Sequence, residues 1–208
     1  MKRLFLDTSN KYLYIAVLEN DEILFQHIQE GNNNHSETLV GVLENIFKEN
    51  NLTIDDISEI YVGRGPGSYT GVRVACTVAK VLAYCKNIKL FSFSSLDLLL
   101  TTNLKSGTIL TKMDARRGFS YAKAFEVTKD IKEIMQETYI ETEKLDEEYN
   151  NAIVITSESS NYDPKLILKY HLYQEIEDVH NFVPTYLRSG VWDDFYWTIR
   201  KETHSYNC

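Results

Sequence analysis

The chain has 208 residues, 43% hydrophobic and 25% charged, with 9 glycines and 3 prolines. That is the composition of an ordinary globular protein and excludes collagen-like and disordered chains. Thirty acidic residues against 22 lysines and arginines leave a formal charge of −8, so no large positive field exists to attract polyphosphate, and nucleic-acid binding by the unaided chain is not expected.

The opening residues Met1 to Leu6 meet Asp7 before a leader-like apolar core accumulates, and the best apolar run, Val72 to Cys85, carries Arg73 and Lys80. The expectation is a soluble cytoplasmic chain with no membrane helix. Of the three cysteines, Cys76 and Cys85 would point about 180° apart on a helix, so no bridge between them is expected.

In chain order, Leu4-Phe5-Leu6, Tyr12 to Leu18 and Ile23 to Ile28 read as three strands separated by the polar turns Thr8-Ser9-Asn10 and Glu19-Asn20-Asp21, an antiparallel meander. Ser36 is a plausible N-cap for a helix carrying Leu39, Val40, Leu43, Ile46 and Phe47 at helical spacing. Ile57 to Val62 is a strand that feeds the turn Gly63-Arg64-Gly65-Pro66-Gly67-Ser68-Tyr69-Thr70-Gly71, and a second helix follows to about Cys85. Lys89 to Phe93 is a strand and Leu96 to Leu100 a short helix.

The order β-β-β-α-β-α-β predicts a mixed sheet with helices packed on it, an α/β class shared by ribonuclease-H-like and actin-like domains. Beyond Ser106, strands are predicted at Thr108 to Met113, Phe119 to Val127, Ile131 to Tyr139 and Ala152 to Thr156, with a helix over Pro164 to Tyr170. The expected organisation is thus an N-terminal unit over 1–105, a smaller α/β unit over 106–188 and an aromatic tail over 189–208. Nothing between the two units reads as a linker, which predicts a tight interface.

No two of the five histidines stand three or four residues apart, so no metal site is expected. Ser68 is not at the centre of a G-x-S-x-G elbow and reads as a turn or capping hydroxyl. The glycine-rich turn, with Gly63, Gly65, Gly67 and Gly71, could present backbone N–H groups to phosphate at a helix N-terminus. It lacks a Walker lysine, however, and Arg64 and Arg73 flank it. The favoured alternative is that glycine lets the turn pass close to a neighbouring segment.

Actin-like domains also face phosphate with an Asp and a glycine after the first strand. Here Asp7 and Thr8 are followed by Ser9 at the glycine position, and the corresponding turn of the second half, Asp114-Ala115-Arg116-Arg117-Gly118, has one glycine where two adjacent ones would be wanted. Both phosphate loops are degraded, and catalysis by this chain alone is not expected. An actin-like ATPase or small-molecule kinase is the competing reading.

The helix after the glycine turn is apolar on two sides. Val72, Ala75, Cys76, Ala79, Leu82 and Ala83 cover one, while Val74, Val78, Val81 and Cys85 cover nearly the opposite one. A helix on a sheet needs a single buried stripe, so a second covering surface is implied. The Leu39 helix spans an apolar arc of about 160°, also wider than one sheet contact requires. A helix-on-helix contact with another chain is favoured over coverage by the smaller half.

His35-Ser36-Glu37-Thr38-Leu39, the run Gly63 to Arg73, Ser94-Ser95-Leu96, Asp114 to Gly118 and Pro184-Thr185-Tyr186-Leu187-Arg188 closely resemble the motifs of the TsaB family, also called YeaZ, over most of residues 1–188. The resemblance implies an actin-like fold and a part in making N6-threonylcarbamoyladenosine at position 37 of tRNAs that read codons beginning with A. It implies a non-catalytic subunit that pairs with a TsaD-like catalytic subunit, joined by a TsaE-like ATPase, with homodimers when the partner is absent. tRNA would be met through the complex only. This chain alone would hold no cofactor, with ATP or ADP and metal belonging to the assembly. By analogy the pairing residues are Leu39, Leu43, Ile46, Val74, Val78 and Val81. The tail, with Trp192 and Trp197, lies outside the resemblance and is read as cover for a short second half.

Overall fold

The computed structural model describes residues 1–31 and 35–188. Strands β1 (Lys2–Asp7), β2 (Tyr12–Glu19) and β3 (Glu22–Glu30) form the expected meander. Helix α1 (His35–Glu49) leads to β4 (Ile57–Gly63), parallel to β1, and α2 (Tyr69–Lys86) leads to β5 (Lys89–Phe93), parallel to β4. The short helix α3 (Ser95–Leu100) follows. A second, four-stranded sheet is built from β6 (Gly107–Asp114), β7 (Phe119–Val127), β8 (Ile131–Glu141) and β9 (Ile153–Thr156), with α4 (Thr142–Glu148) between β8 and β9. Then come α5 (Pro164–Lys169) and β10 (Gln174–Glu175).

The sheets have the orders β10-β5-β4-β1-β2-β3 and β8-β7-β6-β9. Strand alternation splits the first sheet's side chains between two cores. Leu4, Leu6, Leu13, Ile15, Val17, Ile60 and Val62 face α1 and α2. Phe5, Tyr14, Leu18, Tyr61 and Phe93 face α3, α5 and the inner side of the second sheet, where Ile109, Met113, Phe125 and Ile155 meet them. Residues Phe5, Tyr61 and Phe91 occupy paired positions on β1, β4 and β5, and their rings stack at 4.7 and 4.8 Å, each pair adding to its area burial through offset ring contact. Central strands buried on both faces explain the near-continuous apolar runs of β1 and β2.

Three features depart from the sequence expectation. Helix α4 buries only Leu145, so it has no amphipathic stripe by which to be recognised. Strand β10 pairs with β5 through two residues, which returns the C-terminal part of the predicted 106–188 unit to the edge of the first sheet. The segment after it forms a strap in which Ile176, Val179 and Phe182 pack on the α1/α2 core. Helix α1 begins at His35, one residue before the expected cap at Ser36. The tail with Trp192 and Trp197 lies outside the described residues.

Candidate functional site

The parallel strands β1, β4 and β5 end side by side at Asp7, Gly63 and Phe93, the end of an α/β sheet where ligand sites form. The β1–β2 turn is closed on itself and deeply buried. The Asp7 carboxylate accepts from the Ser9 backbone N–H at 2.8 Å, the Ser9 hydroxyl at 2.6 Å and the Ser95 hydroxyl of α3 at 2.6 Å. Serine in the usual glycine position thus adds a hydroxyl to the backbone N–H and locks the aspartate to its own turn.

The glycine loop lies directly on this turn. A Cβ at Gly63 would collide with the Asp7 carboxylate, one at Gly67 with the Ser9 carbonyl, and one at Gly71 with the Thr8 carbonyl. Glycine is required at 67 and 71 because two backbones touch, and at 63 because the Asp7 carboxylate fills the space. The Ser68 N–H donates to the Ser9 carbonyl at 2.6 Å, and the Thr8 hydroxyl donates to the Gly71 carbonyl at 2.6 Å. Ser68 also caps α2, accepting from the Gly71 N–H at 3.3 Å. The Arg64 N–H is bound to the Phe93 carbonyl and the Val72 N–H to the Ser68 carbonyl. The N–H groups of Arg64, Ser68, Gly71 and Val72 are committed within the chain, and the space against Gly63, Gly67 and Gly71 is filled by Asp7, Ser9 and Thr8. That close packing on the first turn weighs against a nucleotide phosphate at this loop.

The second degraded loop is the β6–β7 hairpin turn. Asp114 is exposed, and its carboxylate accepts from the Arg116 N–H at 2.8 Å. Among the described residues no group of His, Cys, Asp or Glu is arranged to hold a metal ion, and no helix is long and apolar enough to cross a membrane.

Arg64 ties three distant segments together. Its guanidinium forms a bidentate pair with Glu137 of β8 at 2.9 and 3.1 Å and donates to the Thr185 hydroxyl at 2.6 Å, while the Thr185 N–H donates to the Arg64 carbonyl at 2.8 Å. The strap motif Pro184 to Arg188 therefore lies over the glycine loop, and Tyr186 packs on Tyr69 at 5.1 Å. Deeper between the sheets, the Lys123 ammonium of β7 pairs with Asp97 of α3 at 2.7 Å and with Glu133 at 2.9 Å. Burial pushes the Asp97 carboxyl up to about 6, against the pull of Lys123. Burial also opposes the Lys123 charge, but Asp97 and Glu133 outweigh it and raise the ammonium above its ordinary value. Sequence reading missed this network. An aspartate set among leucines, Leu96-Asp97-Leu98-Leu99-Leu100, was its one visible sign.

The predicted pairing residues divide. Leu39, Leu43 and Ile46 are buried in the chain's own core, which corrects their assignment to an outward surface: the wide apolar arc of α1 is consumed by the sheet on one side and α2 on the other. On α2 the faces separate as the spacing implied. Val72, Ala75, Cys76, Ala79 and Ala83 are buried. Val74 and Val78 are partly exposed, Val81 is 53% exposed, and Tyr84 and Cys85 lie open beside them. The strap partly covers α2, with the Lys80 ammonium donating to the Phe182 carbonyl at 3.4 Å. Val40, part of the wide apolar arc that the sequence reading offered to another chain, is exposed on α1.

Residues 23–183 match the family model described as TsaD: tRNA N6-adenosine threonylcarbamoyltransferase. A Bacillus subtilis protein named tRNA threonylcarbamoyladenosine biosynthesis protein TsaB is 36% identical over 61% of this chain and 56% of its own length. An Escherichia coli protein of the same name is 29% identical over 58% and 53%. The chain thus spans little more than half the length of these curated relatives. A crystal structure from Pseudomonas aeruginosa, described as similar to the peptidase YeaZ, superposes with a TM-score of 0.73 at 19% identity, covering 90% of this chain and 99% of that one, and establishes the shared fold.

Proposed function

Because the chain belongs to the TsaB/YeaZ branch of the TsaD-like family, we propose that it acts in threonylcarbamoyladenosine biosynthesis in tRNA as a partner subunit and not as the catalyst. The observation that carries this reading is the closed junction of Asp7–Ser9 with the glycine loop. Three glycines of the loop pack against that turn with no room for a Cβ, and the Ser68 N–H donates to the Ser9 carbonyl, so the loop face that would meet a phosphate is filled by the chain's own first turn. The same junction weighs against an ATPase or kinase acting alone.

The surface offered to the partner is the outer side of α2, with Val74, Val78, Val81 and Tyr84, flanked by Val40 of α1. An exposed helical stripe of that kind is suited to packing against a helix of a TsaD-like subunit, or against a second copy when that subunit is absent. A TsaE-like ATPase would join the assembled pair, and any nucleotide or metal would be held by the assembly.

The test is reconstitution. Purified TsaD, TsaE and the adenylate-forming enzyme are incubated with unmodified tRNA, with and without this chain. Product that requires the chain is expected; equal product in its absence would refute the partner role and direct attention to ATP-dependent chemistry of the chain itself.

A further inference from the structure

The chain carries 30 acidic residues against 22 basic ones, yet its arginines are not spread evenly. Of the six arginines among the described residues, five lie at one end of the molecule: Arg64 and Arg73 at the glycine loop, Arg116 and Arg117 in the β6–β7 turn, and Arg188 in the strap. Arg64 is paired with Glu137. Arg116, Arg117 and Arg188 are exposed and have no carboxylate partner among the described residues. Nearby acids are engaged elsewhere, Asp114 with the turn backbone and Glu141 with Lys144 at 3.5 Å.

The backbone of the turn makes these arginines notable. Arg116 and Arg117 take φ values of +66° and +57° in succession, followed by Gly118 at +79°. Asparagine or glycine fits that left-handed region more cheaply than arginine. The conformation is held by hydrogen bonds from the Ala115 N–H to the Phe119 carbonyl and from the Thr142 N–H to the Gly118 carbonyl. Strain borne to display two guanidinium groups points to what those groups contact.

Beside them is a ring platform. Phe119 follows the turn directly, and its ring stacks on Tyr139 with centroids 4.6 Å apart and planes 5° from parallel; Tyr121 leans on the same Tyr139 at 5.8 Å. Phe119, Tyr121 and Lys123 share one face of β7 by alternation. Lys123 anchors that face to α3, whereas the three rings lie toward the open end and remain partly exposed. Arg188 stands near enough to Tyr121 to oppose the burial that raises its phenol. Rings are thus bracketed by arginines on both sides.

We propose that this end of the second sheet binds single-stranded RNA, the Phe119–Tyr139–Tyr121 platform taking unstacked bases and Arg116, Arg117 and Arg188 taking the adjoining phosphates. Aromatic faces stack on any base, and guanidinium groups pair with phosphate in a forked geometry, which together form the usual chemistry of single-strand binding. The charge complementarity is local: the patch is an arginine-rich exception on an acidic chain, so the proposal departs from the expectations that net charge keeps the unaided chain off nucleic acid and that tRNA is met through the complex only. The choice of RNA over DNA rests on the tRNA-modification role proposed above; the stacking and phosphate contacts do not.

Fluorescence anisotropy of a labelled, unmodified tRNA anticodon hairpin with the full chain at low ionic strength tests this. Saturable binding is expected. The double substitution Arg116→Asn with Arg117→Asn suits the left-handed backbone, so Tm should hold or rise while affinity falls at least about fivefold and the slope of log K against log salt shrinks by about 1.4. Tyr139→Ala should weaken binding about tenfold or more with the salt slope unchanged, and Tyr139→Phe should restore it. The proposal is overturned if the folded parent shows no saturable binding, if the double variant binds as the parent does, or if AMP competes as well as the hairpin, which would indicate a mononucleotide pocket. Modification that needs the chain without hairpin binding would remove the RNA face and leave the partner role standing. Hairpin binding with modification independent of the chain would do the reverse.

Discussion

At the scale of single residues, the glycine loop separates two uses of glycine that look alike in sequence. Gly63 touches the buried Asp7 carboxylate and the Ser95 hydroxyl, with no room for a methyl group, whereas Gly41, on the exposed side of α1, has open space around it. Gly63→Ala should therefore cost about 1 to 3 kcal/mol through overpacking. Gly41→Ala should stabilise by up to about 1 kcal/mol through helix propensity. Urea denaturation of the two variants checks both signs, and equal effects would contradict the packing of the loop on the β1–β2 turn. The glycine spacing itself was readable, as was the capping role of Ser68. The two serine hydroxyls on Asp7 were not, because Ser95 reaches it from a helix 88 residues away in sequence.

At the scale of elements, the wide arc of α1 is filled within the chain and the second apolar side of α2 is met in part by the strap, for one reason. Periodicity reports how wide an apolar arc is but not what fills it. On α1 the arc is filled by the sheet and by α2. On α2 Val72, Ala75, Ala79 and Ala83 meet the core, with Val74 and Val78 half-buried against it and Val81 open on the outer side. Val81→Glu should leave the isolated chain folded, since the new charge stands in water, and should abolish pairing with a TsaD-like subunit or with a second copy. Circular dichroism with light scattering decides, and retained pairing would refute the assignment of that side. Cys85 gives an independent probe, being exposed beside Val81, while Cys76 is buried with its thiol pushed up to about 12. Maleimide on Cys85 should block pairing in the parent and have no effect in Cys85→Ser.

At the scale of the whole molecule, the two halves are joined by ion pairs that sequence order hid: α3 to β7 through Asp97 and Lys123, and the glycine loop to β8 and the strap through Arg64. Strands β1 to β9, helices α1, α2, α3 and α5 and the division into a larger and a smaller α/β unit were legible because each rests on local periodicity and turns, whereas α4 and β10 were not. The junction rests on single charged residues far apart in the chain, which carry no period. It has a measurable pH signature. Asp97 holds its proton up to about 6 when folded, above its ordinary value of 3.8, so between those values the folded state binds the proton and the unfolded state does not. This group's stabilising contribution is full below about 4 and is lost as pH rises through 6, by on the order of 3 kcal/mol. Lys123 keeps Glu133 throughout. Denaturation curves of the parent and Asp97→Asn, compared from pH 4 to 7, should converge or cross as pH rises; a constant difference would contradict the buried state of Asp97.

Strand β10 closes the edge of a sheet whose other five strands end at Phe93, and this sets a schedule for the chain as it leaves the ribosome. The edge of β5 waits for residues 174 and 175 while the whole second sheet is synthesised, roughly 4 to 16 seconds at ordinary elongation rates. Through that interval the nascent chain presents an unpaired strand beside the apolar surface that Ile176, Val179 and Phe182 will later cover. Crowded polysomes are where such an edge finds the wrong neighbour, so slower translation of the second half would lengthen the exposure.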